Sequence, residues 1–384
     1  MPHTDHQSFD VVVIGGGVCG LAVAWRARSR GLHVCVVDRG PLGGGTSAVA
    51  AGMLAPVSEA DAGERALVQL GMESARRWSA FAGELLDATG IDVGLREHGT
   101  LVVARDADEA AALEREVELR ERMGLETRRL LASQARALEP ALVPSLRAAA
   151  EIPGDRCADP RALCGALALA AERAGVVLRP GHEVARIVVE GGRATGALLA
   201  DGSTVRAADV VVAAGAWSDL LPGLPDAARV PVRPVKGQTL RLRDPAHDPA
   251  LPLLERVVRY EGGYLVPRGD GRYVLGATVE ERGFDTAMTA LGVYELLRDA
   301  SELVPGVLEL EIEESLAGLR PGTPDNAPVL GRSTVLPGLV WATGHHRNGV
   351  LLAPITGDLL AGVLAGDGDI PAAFDPQRFS EVHA

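Results

Sequence analysis

A short apolar run, Asp10 to Ile14, ends on Gly15-Gly16-Gly17-Val18-Cys19-Gly20, and no other stretch of the 384 residues narrows the choice of fold so far. The residues after Asp10 are all β-branched and read as a buried strand. Cys19–Arg30 predicts a helix, and His33–Val37 a second β-branched strand. Gly15, Gly17 and Gly20 fall at GxGxxG spacing between the first strand and the helix. The first glycine permits the tight turn, the second lets backbone approach a pyrophosphate, and the third lets helix and strand pack closely. The helix N-terminus then offers N–H donors and a partial positive charge to the phosphates. Asp38, ending the second strand, stands where a carboxylate accepts hydrogen bonds from ribose hydroxyls. Arg39 beside it leaves a 2′-phosphate, and hence NADP, open at this point.

A chain of this length that is 47% hydrophobic can bury a full core and predicts two domains. The formal charge of −13 argues against a nucleic-acid partner, which needs clustered basic residues. Lys236 is the only lysine, and this skew toward arginine reads as compositional. Met1 to Asp10 is polar, and the apolar stretches are broken by Gly or Asp, so no membrane span is expected. Cys19, Cys35, Cys157 and Cys164 show neither CxxC pairing nor zinc-site spacing. They read as buried small hydrophobes in a reducing compartment, and no metal, nucleophilic triad or P-loop is expected. A soluble cytoplasmic protein follows from this pattern.

The remaining pattern alternates between two units. Helices are expected at Glu64–Thr89 and Ala107–Met123, the second charged and solvent-facing on most sides. A strand, Thr100–Ala104, separates them. A helix at Arg161–Gly175 and strands at Val177–Arg179, Glu183–Glu190, Ala194–Leu199 and Asp209–Ala213 follow, with hairpin turns at Gly191-Gly192 and Asp201-Gly202. Val230–Glu314 is strand-rich with one helix at Leu291–Leu303. Leu339–Thr343 and Val350–Leu364 close the chain as strand and helix. The expected division is 1–92, 150–228 and 317–384 for a nucleotide-binding domain, and 93–149 and 229–316 for a second one.

The segment after Asp38 favours FAD over a nicotinamide. Gly43-Gly44-Gly45-Thr46-Ser47 and Ala50-Ala51-Gly52-Met53 keep backbone exposed and side chains short, as close approach of a flat three-ring cofactor requires. Thr46 and Ser47 can bond its phosphates or ribityl chain.

At this point the sequence resembles the D-amino-acid-oxidase-like flavoproteins, and within them the glycine-oxidase branch associated with thiamine biosynthesis. The likeness covers nearly the whole chain. It rests on the N-terminal glycine turn, Ala50-Ala51-Gly52-Met53-Leu54-Ala55-Pro56, Ala317-Gly318-Leu319-Arg320-Pro321-Gly322-Thr323, and Gly344-His345-His346-Arg347-Asn348-Gly349-Val350-Leu351-Leu352-Ala353-Pro354. Tyr264-Leu265-Val266-Pro267-Arg268 is a fifth, weaker match. The resemblance implies an α/β fold with a Rossmann-type FAD-binding domain, plus a substrate domain built on an antiparallel sheet with helices. It implies FAD contacts from Gly15, Gly17, Val18, Cys19, Gly20, Asp38, Arg39, Thr46, Ser47, Ala51, Gly52 and Met53. Val184 would meet the adenine, and Gly344 and the run His346, Arg347, Asn348, Gly349, Val350, Leu351 and Leu352 would wrap the flavin ring. The helix beginning near Val350 would point its N-terminus at the flavin N1–C2=O edge and stabilise the reduced form.

Oxidising an α-amino acid needs a neutral amine, a Cα–H aimed at flavin N5 and a fixed carboxylate, so position matters more than proton transfer. A bidentate arginine fits the carboxylate, because its planar fork matches two oxygens. Arg320 is the expected anchor and Arg347 the second substrate-side residue. By the same resemblance Tyr264 would close the pocket and donate a hydrogen bond, and Met53 would border the substrate. Asp38 replaces the Glu more usual in flavoproteins, Tyr260 only approximates a second pocket tyrosine, and His346 stands where an aromatic residue is common. Some relatives attach flavin through a C-terminal Cys, and none follows Cys164, so FAD is expected to be non-covalent. The implied partners are a small amino acid and oxygen, with a homo-oligomer, tetrameric in the family pattern. Other readings are a sarcosine or D-amino-acid oxidase or dehydrogenase, a nicotinamide-dependent dehydrogenase, and a non-catalytic FAD-binding subunit of an amine dehydrogenase.

Overall fold

The computed structural model describes residues 8–383, with side chains described through residue 379. The first seven residues of the polar leader lie outside the described residues. Two eight-stranded sheets organise the rest.

The first sheet runs, in spatial order, Val329–Arg332, Leu339–Thr343, Thr204–Val212, Ser8–Ile14, Val34–Asp38 and Val177–Pro180. Its inner pairs are parallel, with Val12 opposite both Val210 and Cys35. Buried on both faces, these strands read as unbroken β-branched runs rather than alternating ones. The hairpin of Val184–Glu190 and Arg193–Leu199 extends the sheet beside Thr204–Val212. Helices Val18–Ser29, Arg65–Thr89, Pro160–Arg173 and Gly349–Ala365 cover one face, meeting around Leu21, Trp78, Phe81, Leu167 and Leu352. Asp159 caps the third of these by accepting from Arg161 N at 2.9 Å, ahead of Pro160 in the first turn. Gly90, at φ +78, ends the long second helix in a left-handed turn.

The second sheet runs Glu311–Gly322, Arg233–Arg243, Arg272–Gly276, Gly263–Pro267, Val257–Tyr260, Thr100–Ala104, Ala148–Ile152 and Arg128–Leu130. The expected antiparallel sheet is found with one exception: Val257–Tyr260 pairs parallel with Thr100–Ala104. That junction joins two separate excursions of the chain, so no hairpin dictates its direction. Ala148–Ile152 lies in this sheet and straddles the boundary placed at residue 150. Neither this strand nor the helix Ala132–Leu138 carries a distinct periodicity, being short and alanine-rich.

The helix Ala107–Arg122 is solvent-facing on most sides, as expected, and turns Glu109, Leu113, Val117 and Arg120 inward along one face. Arg120 is 1% exposed and donates to the carbonyls of Val57 and Ser58 at 3.0 and 2.9 Å. Asp155, also buried, accepts from the N–H groups of the same two residues. The 57–58 turn is thus held from both sides. Burial pushes the Asp155 carboxyl up to about 6.

The four cysteines are free, with Cys35, Cys157 and Cys164 buried and Cys19 half-buried. No helix among the described residues is long and apolar enough to cross a membrane. Among those residues, no group of three or more His, Cys, Asp or Glu could hold a metal ion.

Candidate active site

A cavity of about 580 Å³ lies between the two sheets, running from Val184 past the glycine turn to Met53, Tyr264 and Arg320. Its nucleotide end is shaped by three glycines doing different work. A Cβ on Gly15, whose φ is +111, would lie 2.3 Å from the Ala213 carbonyl oxygen. One on Gly20 would lie 2.0 Å from the Gly15 carbonyl oxygen, so this position lets helix and strand touch. Gly17 has only Ser47 Oγ nearby, at 3.4 Å, and its open side faces the cavity at the uncapped start of helix Val18–Ser29. This cradle fits a pyrophosphate.

Asp38 spreads its carboxylate over the turn, accepting from Gly16 N at 2.7 Å and Gly40 N at 2.8 Å. Each oxygen keeps a second acceptor site for a ribose hydroxyl. Arg39 does not lie along the turn as a phosphate ligand. Its guanidinium stacks over the Trp217 ring, 4.2 Å from the centroid, at the cavity wall. Ser47 Oγ accepts from Val18 N at 3.1 Å and Thr46 Oγ1 donates to the Leu319 carbonyl at 2.7 Å. Both hydroxyls therefore brace the turn and the far strand while lining the cavity.

The small-residue segment is held flat from the second sheet. Arg241 donates to the Ala48 carbonyl and Arg268 to the Ala51 carbonyl, each at 2.6 Å. Gly52, at φ +79, passes where a Cβ would lie 2.0 Å from the Ala158 carbonyl oxygen. Arg268, the last residue of the fifth motif, thus supports the cofactor segment rather than a substrate.

Of the residues expected to meet the flavin ring, His346, Arg347, Gly349 and Val350 line the cavity. Gly344, Asn348, Leu351 and Leu352 do not, and neither does Gly20 of the glycine turn. Leu351 and Leu352 are carried by helical periodicity into the core beneath, and the Leu351 carbonyl accepts from Ser74 Oγ and Trp78 Nε1. Gly344, at φ +74, fits against Thr323, where a Cβ would lie 2.7 Å from its methyl. His346 also has positive φ, +45, and its buried Nδ1 has no partner among the described residues. Burial, with Arg347, Arg320 and Arg233 nearby, lowers its pKa to about 4 and keeps the ring neutral.

Arg320 and Arg347 are not equivalent. Arg347 Nε lies 3.1 Å from Glu59 Oε2, and its Nη2 lies 3.5 Å from Glu64 Oε2. Arg320 donates instead to the carbonyls of Lys236 and Thr278, at 3.3 and 3.1 Å, with the Tyr264 phenol beside it. Among the described residues no carboxylate pairs with it. Its guanidinium lies over Gly237, where a Cβ would meet its nitrogens at 2.4–2.5 Å. Tyr264, raised in pKa by burial, stays a phenol whose hydrogen can point onward into the cavity. Tyr260 also lines the cavity, with its hydroxyl buried and unpartnered among the described residues.

Sequence reasoning missed Glu59, Gly237, Trp217 and His345 as parts of this cavity. Gly237 did carry a signal, being a glycine inside a strand pattern, which marks close approach of another group.

A pyrophosphate cradle and an arginine-bearing sheet facing one cavity define a two-domain, dinucleotide-dependent oxidoreductase. The model of the FAD dependent oxidoreductase (DAO) family matches residues 10–363, and the chain belongs to that family. It is 37% identical over 97% of its length to the glycine oxidase of Geobacillus kaustophilus, covering 96% of that protein. The crystal structure of glycine oxidase from Geobacillus kaustophilus superposes with a TM-score of 0.89 at 36% identity, over 97% of this chain and 99% of that one. The bifunctional protein ThiO/ThiG of Nostoc sp. is 37% identical over 92% of this chain, which spans 52% of that longer protein.

Proposed function

We propose that the protein oxidises the amine of glycine, and of sarcosine or small D-amino acids, with oxygen as acceptor, releasing hydrogen peroxide, glyoxylate or the corresponding oxo acid, and ammonia (methylamine from sarcosine). The observation that carries this reading is Arg320: a cavity-lining guanidinium with carbonyl and phenol partners and an unfilled demand for an anion. The similarity to proteins named glycine oxidase and ThiO/ThiG supports glycine as substrate and supply of its imine for thiazole synthesis as the role.

In this reading the nucleotide half of FAD is held by Gly15, Gly17, Val18, Cys19, Asp38, Arg39, Thr46, Ser47 and Val184, and the flavin half by Ala51, Gly52, Met53, His346, Arg347, Gly349 and Val350. FAD bound there would supply the acceptor for the hydride on substrate Cα. Arg320 fixes the substrate carboxylate through its fork, Tyr264 adds a hydrogen bond, and Met53 limits the side-chain space. The neutral His346 presents a hydrogen-bonding nitrogen without adding charge. The helix starting at Gly349 turns its positive end toward the cavity and favours negative charge there. The FAD-binding and substrate domains set out above follow the two sheets in this reading, with Ala148–Ile152 and the whole of Glu311–Gly322 given to the second rather than divided at residues 150 and 317. A cytoplasmic location is carried over from the hydropathy and cysteine pattern and a homotetramer from the resemblance, and sedimentation would check the latter.

The test is a peroxide assay of purified protein against glycine, sarcosine, D-alanine and D-proline, with anaerobic reduction of the flavin by glycine. Reduction by sarcosine or D-amino acids but never by glycine would move the reading to the neighbouring amine oxidases. Reduction without peroxide would mark a dehydrogenase.

A further inference from the structure

The only lysine in the sequence is fully buried, 0% exposed, one residue from the glycine beneath the Arg320 guanidinium. Its Nζ donates to Asp285 Oδ2 at 3.0 Å and to the Ala287 carbonyl at 2.6 Å, with Glu280 Oε2 at 3.7 Å. Both acids and the carbonyl belong to the connection 277–289, which has a single bridge in place of a strand or helix. That bridge is to Lys236 itself: Lys236 N donates to the Glu280 carbonyl, and Glu280 N to the Lys236 carbonyl. Gln238 ties down the same connection through Glu280 and Thr289.

Both protein carbonyls that receive the Arg320 guanidinium come from this junction. The Lys236 carbonyl accepts from Glu280 N and from Arg320 Nη1 together, and the Thr278 carbonyl takes the second bond. A buried ammonium persists only where its charge is paired, so the lysine and the connection hold each other in place. We infer that Lys236 is a positioning residue for substrate carboxylate recognition, clamping the 277–289 connection so that the two carbonyls aim the Arg320 fork into the cavity. The inference rests on the reading of Arg320 as the carboxylate anchor. It sets geometry and not chemistry, so its loss acts on KM and carboxylate affinity far more than on kcat.

The experiment titrates FAD-loaded protein with acetate, a carboxylate with no amine to oxidise, and follows the flavin absorbance. Lys236→Met should weaken acetate about tenfold or more, and Asp285→Asn about threefold, with the KM for glycine rising in parallel and kcat within about twofold. Asp285→Glu, which restores the charge, should recover most of the affinity. If Lys236→Met does not fold, Asp285→Asn decides, since that side chain is half-exposed. Acetate affinity within about twofold of wild type in the variant that folds would overturn the inference. So would rapid acylation of Lys236 in the native protein by a succinimidyl ester, because a clamped lysine is not available. Arg320→Ala run in parallel separates the two claims. If that variant binds acetate normally, the anchor reading falls and this inference with it. If it does not, and the Lys236 and Asp285 variants bind normally, only the clamp falls.

Discussion

Arg347 Nε sits 3.1 Å from Glu59 Oε2 at the wall of the cavity, while Arg320, in the same cavity, has carbonyls and a phenol for partners. One guanidinium is already neutralised and the other is not. Arg320→Ala should therefore lower kcat/KM for glycine by on the order of 10²–10³, the equivalent of losing one side of a buried ion pair, about 3–5 kcal/mol. Arg347→Ala, already screened by Glu59 and partly exposed, should lower it by roughly tenfold or less. Steady-state kinetics on both variants checks the order, and a larger loss at Arg347 would move the anchor there.

Two glycine substitutions should fail in different ways. Gly15→Ala forces a Cβ against a backbone carbonyl at a left-handed φ, which costs about 1–3 kcal/mol in strain alone. It should lower thermal stability and FAD occupancy together. Gly237→Ala meets only the tip of the Arg320 side chain, which can swing away. Its expected result is full FAD content, near-native Tm and a raised KM. Loss of FAD from Gly237→Ala would contradict the placement of Arg320 on the substrate side.

The purified protein should be yellow, and acid precipitation should release FAD into the supernatant. No cysteine follows Cys164, and burial raises the Cys19 and Cys164 thiols to about 12, far from the thiolate needed for attachment. Colour retained in the pellet would show a covalent link.

Stability should depend on pH through His345. Its ring is buried, pairs with Thr356 Oγ1 through Nε2 at 3.0 Å, and has its pKa lowered from 6.5 to about 4 by burial. The unfolded chain takes up a proton below 6.5 while the native ring resists until about 4. The contribution is therefore complete above 6.5 and declines by up to about 3 kcal/mol as pH falls to 4. Asp155 acts in the opposite sense, since its raised carboxyl stabilises below 3.8 and loses that effect as pH rises through 6. His345→Gln removes the first term and leaves the second. Urea midpoints of wild type and variant should converge as pH drops from about 7 to about 4.5. A constant gap between them would mean His345 is protonated in the native state.

What could be read directly from the sequence was whatever neighbours along the chain enforce. The strand–glycine–helix–strand unit, Asp38 at its end, the long helices and the Gly349–Ala365 segment all declare themselves through local periodicity, φ requirements and caps. The Arg320 and Tyr264 motifs could be named from resemblance. Their partners could not, because pairing across the cavity joins residues far apart in the chain. Glu59 meets Arg347, Arg120 reaches back to the 57–58 turn, and Arg268 holds Ala51, and none of these leaves a local pattern. Lys236 illustrates the limit most sharply. As a letter in the sequence it was a compositional oddity. Only folding, by withdrawing its ammonium from water, made two acids, a carbonyl and a whole connection answer to it, because a buried charge must find its counter-charges wherever the chain has brought them.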